Sequence, residues 1–255
     1  MNVSIDGQAV EVPSGATCAD ALKAALSGKK FKTVVACRIG DTLLDLSSPL
    51  PPDAATLEPV YADSPEGLAL VRHSAAHIMA AAVQKLFPKA KVTIGPSIDN
   101  GFYYDFDVER PFSSDDFPAI EAEMQRIVAA AHPFVRTEIS KDEALRRFKE
   151  LGETYKVEII SDLPGDSVSL YQCGDFVDLC RGPHVPHTGF AKAVKLLSVA
   201  GAYWRGDEKN PMLSRLYGTA FADEKALKDY LHRLEEAKRR DHRKLGRELD
   251  LFTFH

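Results

Sequence analysis

A chain of 255 residues, 45% hydrophobic and 27% charged, has the make-up of an ordinary soluble globular protein of one or two domains with ample material for a core. A net charge of −5 argues against a protein that coats nucleic acid unselectively, and the longest apolar run, Ile78 to Phe87, is too short to span a membrane and is broken by Gln84 and Lys85. The opening MNVSIDGQAVEV lacks a basic or apolar leader and the four cysteines are scattered, so the expected setting is a reducing cytoplasm.

Residues 1–62 read as a small self-contained unit. VSIDGQAVEV is two short strands about Asp6-Gly7, a two-residue hairpin signal. Thr17 caps a helix from Cys18 to Leu26 that ends at Ser27-Gly28. TVVACRI is a buried strand, Gly40-Asp41 turns the chain, and TLEPVY is the closing strand. Strand, strand, helix, strand, strand in this length is a ubiquitin-like β-grasp pattern, and it carries no catalytic cluster.

A polar linker, Ala62 to Gly67, leads into a long helix from about Leu68 to Phe87 that Pro88 stops. Strand-like runs at 92–97 and 101–107 flank an Asp99-Asn100-Gly101 turn, and a helix follows from about Asp115 to Ala131. Phe134 to Ile139 reads as a strand, Lys141 to Leu151 as an amphipathic helix, and Val157 to Ile160 as extended. Val168 to Tyr171 and Phe176 to Leu179 pair across Cys173-Gly174-Asp175; Ala193 to Tyr203 and Leu216 to Ala220 are further strands. From Asp223 the pattern is one long charged helix ending near Leu249, with a basic run, Lys238 to Lys244, of the kind that usually forms a solvated face. The apolar tail after it, up to His255, has nothing of its own to pack on, which suggests the front part of a longer protein. The expected class is α+β.

Four residues stand out, in two pairs. His73-Ser-Ala-Ala-His77 lies in an alanine-rich helix, where a spacing of four puts both imidazoles on one face. Cys180-Arg-Gly-Pro-His184 spans a Gly-Pro turn that can return a thiol and an imidazole toward each other, with Asp178 and His187 close by. Each pair alone is compatible with packing. Together, three imidazoles and a thiol are the donor set of a tetrahedral zinc site and equally of a proton-handling hydrolytic pocket.

Six segments run nearly end to end in a specific order: HSAAHIMAAAV, IGPSIDNGFYYDFD, YKVEII, LYQCGDFVDLCRGPHVPHTG, AYWRGDEKNPMLSRLYGTAF and RDHRKLGRELDLF. In these the chain resembles the N-terminal half of bacterial-type threonyl-tRNA synthetases. The resemblance implies a TGS-type β-grasp domain at 1–62 and an editing domain at 63–224, similar also to those of alanyl-tRNA synthetases. It implies a linker helix at 225–255, running into the start of a missing aminoacylation domain. The implied activity is hydrolysis of the ester of seryl-tRNA(Thr), with no aminoacylation by this piece. The implied partner is the acceptor end of tRNA(Thr), with no membrane. The piece is expected to be a monomer and the full-length enzyme a homodimer. ATP and a further zinc belong to the missing domain.

Carried onto this sequence, the resemblance makes His73, His77, Lys156, Asp178, Cys180 and His184 the catalytic candidates. Lys156 would be the charged donor beside the ester, and Asp178 would orient a histidine, the serine amine or Lys156. Tyr104 is assigned to the pocket wall or the terminal adenosine, Gly95 and Pro96 to the wall, and Arg181 with the Gly182 backbone to the tRNA end; Trp204 and Arg205 are left as structural. Attack by water is preferred over attack by Cys180. Editing is expected to need no metal; zinc on His73, His77, Cys180 and His184 is the less favoured arrangement. The competing reading is a tRNA acceptor-stem binding module with a structural zinc site and no hydrolytic activity.

Overall fold

The computed structural model describes residues 2–240. Asp6 and Gly7 both take positive φ, 48° and 78°, which is the backbone a tight hairpin needs between strands β1 (Asn2–Ile5) and β2 (Gln8–Glu11). Helix α1 (Cys18–Ala25) starts on a capping box: the Asp20 N–H donates to Thr17 Oγ1 at 3.2 Å, and the Asp20 carboxylate accepts from the Thr17 N–H at 3.0 Å. After a single helical turn, α2 (Gly28–Phe31), strand β3 (Val34–Ile39) pairs antiparallel with β4 (Thr42–Leu44) on one side and β5 (Glu58–Tyr61) on the other. Val34 and Cys37 face the core of this N-terminal module, while Val35 and Ala36 enter the larger core beyond it. Burial on both faces explains why β3 is a continuous apolar run rather than an alternating one.

Helix α3 (Pro65–Leu86) follows. Ser64 caps it by accepting the Gly67 N–H at 3.1 Å, and Pro65 sits at the first turn, where its missing N–H costs nothing. Gly67 is required here, because a Cβ would lie 1.9 Å from the Tyr61 carbonyl oxygen. From Ala75 to Val83 every residue of α3 is buried, so this helix is the spine of the molecule.

Short strands β6 (Lys91–Val92) and β7 (Ser97–Ile98) pair with β8 (Gly101–Asp107). Helix α4 (Phe117–Ala130), strand β9 (Phe134–Ser140), and helices α5 (Lys141–Glu150) and α6 (Thr154–Asp162) come next. The β10 (Ser167–Cys173) and β11 (Phe176–Leu179) hairpin and the long strands β12 (Ala193–Tyr203) and β13 (Met212–Phe221) complete the α+β arrangement. Two antiparallel sheets result: β12-β13-β8-β6 with β7 on β8, packed against α3 and α4, and β11-β10-β9, packed against α5 and α6. Residues up to Ala222 form one compact unit.

One expectation is overturned. Residues 157–160 are helical, not extended: they lie inside α6. Val157, Ile159 and Ile160 suggested a strand because β-branched side chains favour one. Burial decides otherwise. Tyr155, Lys156 and Ile160 all point inward, and Ile160 fills a cluster with Phe148 and Val168 that a strand, alternating its sides, would not reach. Complete burial of such an aliphatic side chain is worth about 1.5–3 kcal/mol, more than the propensity difference.

Asp223 caps α7 (Glu224–Arg239), accepting the Ala226 N–H at 2.8 Å. The expected continuation to Leu249, the basic residues after Arg240 and the apolar tail lie outside the described residues.

Candidate active site

Helix α3 carries His73 and His77 one turn apart, with ring centroids 5.0 Å from each other. The β10–β11 hairpin delivers the second pair. Its pairing runs on past β11, where the Cys180 N–H donates to the Ser169 carbonyl at 3.1 Å. Gly182, at φ 71°, then turns the chain into a cis bond to Pro183. A side chain at 182 has no room, since a Cβ would lie 1.9 Å from the Tyr171 hydroxyl. The turn sets the His184 ring 4.4 Å from both α3 imidazoles, stacked on His73 and edge-on to His77. The Phe134 ring lies parallel to it at 4.6 Å. Ser74 Oγ contacts His184 Nδ1 at 3.0 Å and accepts the Val185 N–H at 3.1 Å. His73 Nε2 lies 3.1 Å from Cys180 Sγ.

Beside this cluster is a buried polar quartet. Lys156, on α6, pairs with the Asp178 carboxylate, and the two residues are 3% and 1% exposed. Lys156 Nζ also donates to the Tyr104 hydroxyl at 3.0 Å, which in turn donates to Asp178 Oδ2 at 2.6 Å. His77 Nδ1 is 3.5 Å from the same carboxylate oxygen. Gly95 packs flat on the Tyr104 ring, where a Cβ would come within 2.0 Å.

Burial sets the protonation states. It drives the His77 imidazole down to about 3, against the pull of Asp178. It lowers His73 too, partly offset by Asp178 and the Gly95 backbone, and takes His184 well below the ordinary histidine range. Burial pushes the Cys180 thiol up to about 12, although the Gly182 N–H donates to its sulfur at 3.3 Å. For Asp178 burial acts upward as well, but Lys156, His77 and Tyr104 together outweigh it and hold the carboxyl below its usual range. At neutral pH the site is therefore neutral imidazoles and a protonated thiol around one buried ion pair.

A cavity of about 610 Å³ opens onto these groups. His73, His77, Lys156, Asp178 and Cys180 form its chemical wall, with Gly95, Pro96 and Tyr104 on one side and the exposed Arg181 at its rim. His184 lies behind that wall and faces a second cavity of about 590 Å³, which His187 also lines.

The donor atoms of His73, His77, Cys180 and His184 all lie within 4.8 Å of one another. His184 Nε2 is buried with no hydrogen-bond partner, as expected of a lone pair turned toward a cation. The set fits zinc, though a site closed by four protein donors leaves no position for a water.

Residues 168–217, the stretch that contains Asp178, Cys180 and His184, match the family model "Threonyl and Alanyl tRNA synthetase second additional domain". Over all 255 residues the chain is 73% identical to the threonine–tRNA ligase of Nitratidesulfovibrio vulgaris (strain DP4), covering 40% of that protein. From end to end the chain matches one part of threonine–tRNA ligases. The ligase of Oleidesulfovibrio alaskensis is 69% identical over 254 residues, covering 39% of it, and that of Lawsonia intracellularis 61% over 230 residues, 90% of this chain and 36% of the relative. The chain thus spans about 40% of the length of the curated relatives it matches.

Several members of the site carry no signal that sequence reasoning could use. Ser74 sits between the two histidines, yet nothing in the spacing says that its hydroxyl reaches His184. Glu153, 8% exposed, accepts the Val92 N–H at 3.2 Å and a hydrogen bond from Gln84, tying the start of α6 to β6. Asp45 and Tyr171, 126 positions apart in the sequence, meet at His184. His187 stands apart from the four-donor cluster, against Phe190.

Proposed function

We propose that this region removes serine wrongly attached to tRNA(Thr), by hydrolysing the ester between serine and the terminal adenosine. Serine is threonine without one methyl group, and a missing methyl changes binding by only about 1–3 kcal/mol, so a synthetic site for threonine admits serine too often. A separate hydrolytic site that acts on the serine ester and spares the threonine ester closes the gap. The observation that carries this reading is the Lys156–Asp178 ion pair, buried in the wall of the cavity that His73 also lines.

In the proposed reaction a water attacks the ester carbonyl and passes its proton to the neutral imidazole of His73. Negative charge gathers on the carbonyl oxygen beside the Lys156 ammonium, which Asp178 and Tyr104 hold in place before the substrate arrives. The bond from carbonyl carbon to ribose oxygen then breaks, the ribose oxygen takes the proton back, and free serine and tRNA leave. Burial holds the Cys180 thiol protonated at neutral pH, which favours water over the thiol as nucleophile. No step uses a metal.

On this reading residues 1–62 are a TGS-type β-grasp domain, 63–224 the editing domain, and 225–255 a linker helix entering an aminoacylation domain. Charging of tRNA(Thr) with ATP, and homodimer formation, belong to the longer cytoplasmic protein; the chain alone is a monomer that does not aminoacylate. A second reading, an acceptor-stem clamp with a structural zinc, is favoured by the closeness of the four donors and the unpartnered His184 Nε2. Incubating the chain with seryl- and threonyl-tRNA(Thr) in parallel separates the two. An editor releases serine and spares threonine; a clamp protects both esters, and that result would remove the hydrolytic reading.

A further inference from the structure

Asp45 follows β4 in the N-terminal module, yet both of its carboxylate oxygens are used outside that module. It is 8% exposed. Its Oδ1 accepts the His184 backbone N–H at 2.8 Å and its Oδ2 accepts the Tyr171 hydroxyl at 2.5 Å. Burying a carboxylate is costly unless hydrogen bonds compensate it, and here the compensating donors all come from the other module.

Those two donors govern the turn that presents Cys180 and His184. The first is the His184 backbone itself. The second is the hydroxyl that fills the space over Gly182, and the Tyr171 ring lies 4.5 Å from the His184 ring. From the opposite side Ser74 holds the His184 ring and the Val185 N–H. His184 is thus gripped by its backbone from residue 45 and by its ring from residue 74, and it stacks on the His73 imidazole. Without the first grip the turn can rotate about the second, carrying the Cys180 and His184 side chains with it.

We infer that Asp45 is a positioning residue for the hydrolytic site, and that the N-terminal module is part of that site's architecture rather than a separate appendage. The inference rests on the proposed hydrolysis of seryl-tRNA(Thr).

The test compares Asp45→Ala, the conservative Asp45→Asn and a control, Leu22→Ala, in the 255-residue chain. Leu22 is fully buried in the module's own core, so the control loosens the module without touching the link. Two readouts are taken below the unfolding temperature of every variant: kcat and KM for serine release, and the ¹⁵N resonances of the His184 imidazole. Asp45→Ala should lower kcat by roughly tenfold or more with KM little changed, because a displaced His184 ring no longer holds the His73 imidazole it stacks on, and misplacing that base by a fraction of an ångström acts on the chemical step. The His184 signals should move in Asp45→Ala and much less in Asp45→Asn, which keeps an acceptor for the His184 N–H. Leu22→Ala should leave both readouts near wild type. Wild-type kcat and unmoved His184 signals in Asp45→Ala would overturn the inference, as would an equal loss in Leu22→Ala. If Asp45→Ala does not fold, Asp45→Asn read against Leu22→Ala decides in the same way. If the wild-type chain releases no serine, the hydrolytic reading has failed, and the resonances alone decide whether Asp45 positions His184.

Discussion

Replacing Lys156 with methionine tests the centre of the site. The substitution keeps most of the unbranched stem and removes the ammonium, with its charge and its hydrogen bonds to Asp178 and Tyr104. Asp178 would then remain 1% exposed without its main partner, holding the Tyr104 hydroxyl at 2.6 Å and His77 Nδ1 at 3.5 Å. Removing one member of a buried ion pair costs about 3–5 kcal/mol, and the surviving Tyr104 bond places this case toward the lower end. The pH dependence carries the sign. In the wild type Asp178 is held below its usual range, so it contributes stability above the unfolded carboxyl value of about 3.9, which is lost as the pH falls through the folded value. In Lys156→Met burial, already the largest influence on Asp178, loses its main opponent and raises the carboxyl above that value. The group then favours the folded state at low pH and loses that contribution as the pH rises through its new folded value. The deficit relative to wild type should therefore be largest near neutrality and shrink toward pH ~5. Urea denaturation of both proteins across this range, with equal m-values, measures it. The double variant Lys156→Met/Asp178→Asn should regain part of the loss, since neither charge is then left unpaired. Wild-type stability of Lys156→Met at neutral pH, or a deficit that grows toward acid, would refute the account.

Three other outcomes follow from the geometry. His73→Ala should slow serine release by about 10²–10⁴-fold, the usual worth of a general base, and full activity would remove it from that role. Cys180→Ala should keep the rate within about tenfold, because a thiol pushed up to about 12 is protonated at neutral pH; trapping of a seryl thioester on Cys180 would reverse this. Gly95→Ala should cost activity without lowering KM, since the added methyl comes within 2.0 Å of the Tyr104 ring and must displace the hydroxyl that joins Lys156 to Asp178; undiminished kcat in this variant would show that Tyr104 is not held as described.

What the sequence disclosed was local. Thr17 as a cap, Asp6-Gly7 as a hairpin, a long helix stopped before Pro88 and the pairing of β10 with β11 all rest on interactions among near neighbours, and all are found, though α3 starts at Pro65 rather than about Leu68. Helix α6 was hidden because its β-branched residues speak for a strand and only tertiary packing against α5 and β10 overrules them. The His73/His77 face was legible from a spacing of four. That Cys180 and His184 would meet it follows from no periodicity, since the residues are 107 positions apart; the chemistry of the combined donor set suggested it, and the family resemblance agreed. Resemblance also singled out Lys156, and Lys156 was one of the partners expected for Asp178, but its place on a helix was not foreseen. Ser74, Glu153 and Asp45 have their meaning only through partners far along the chain, and no local pattern marks them.

Zinc and hydrolysis compete for the same lone pair. His73 leans on the Gly95 backbone with one side of its ring and turns Nε2 toward Cys180, so Nε2 is both the nitrogen able to take a proton from water and the one aimed into the four-donor cluster. A cation closed in by all four donors would occupy that nitrogen, draw the proton from Cys180 and leave no free position for a water. Added zinc should therefore inhibit serine release, and chelation should restore it fully. Wild-type chain purified without added metal should carry well under one zinc per molecule, and Cys180→Ala, which removes one donor, should be less sensitive to inhibition. Activation by zinc, or a stoichiometric ion whose removal abolishes hydrolysis, would mean that the metal supplies the nucleophile and that His73 serves as a ligand rather than a base.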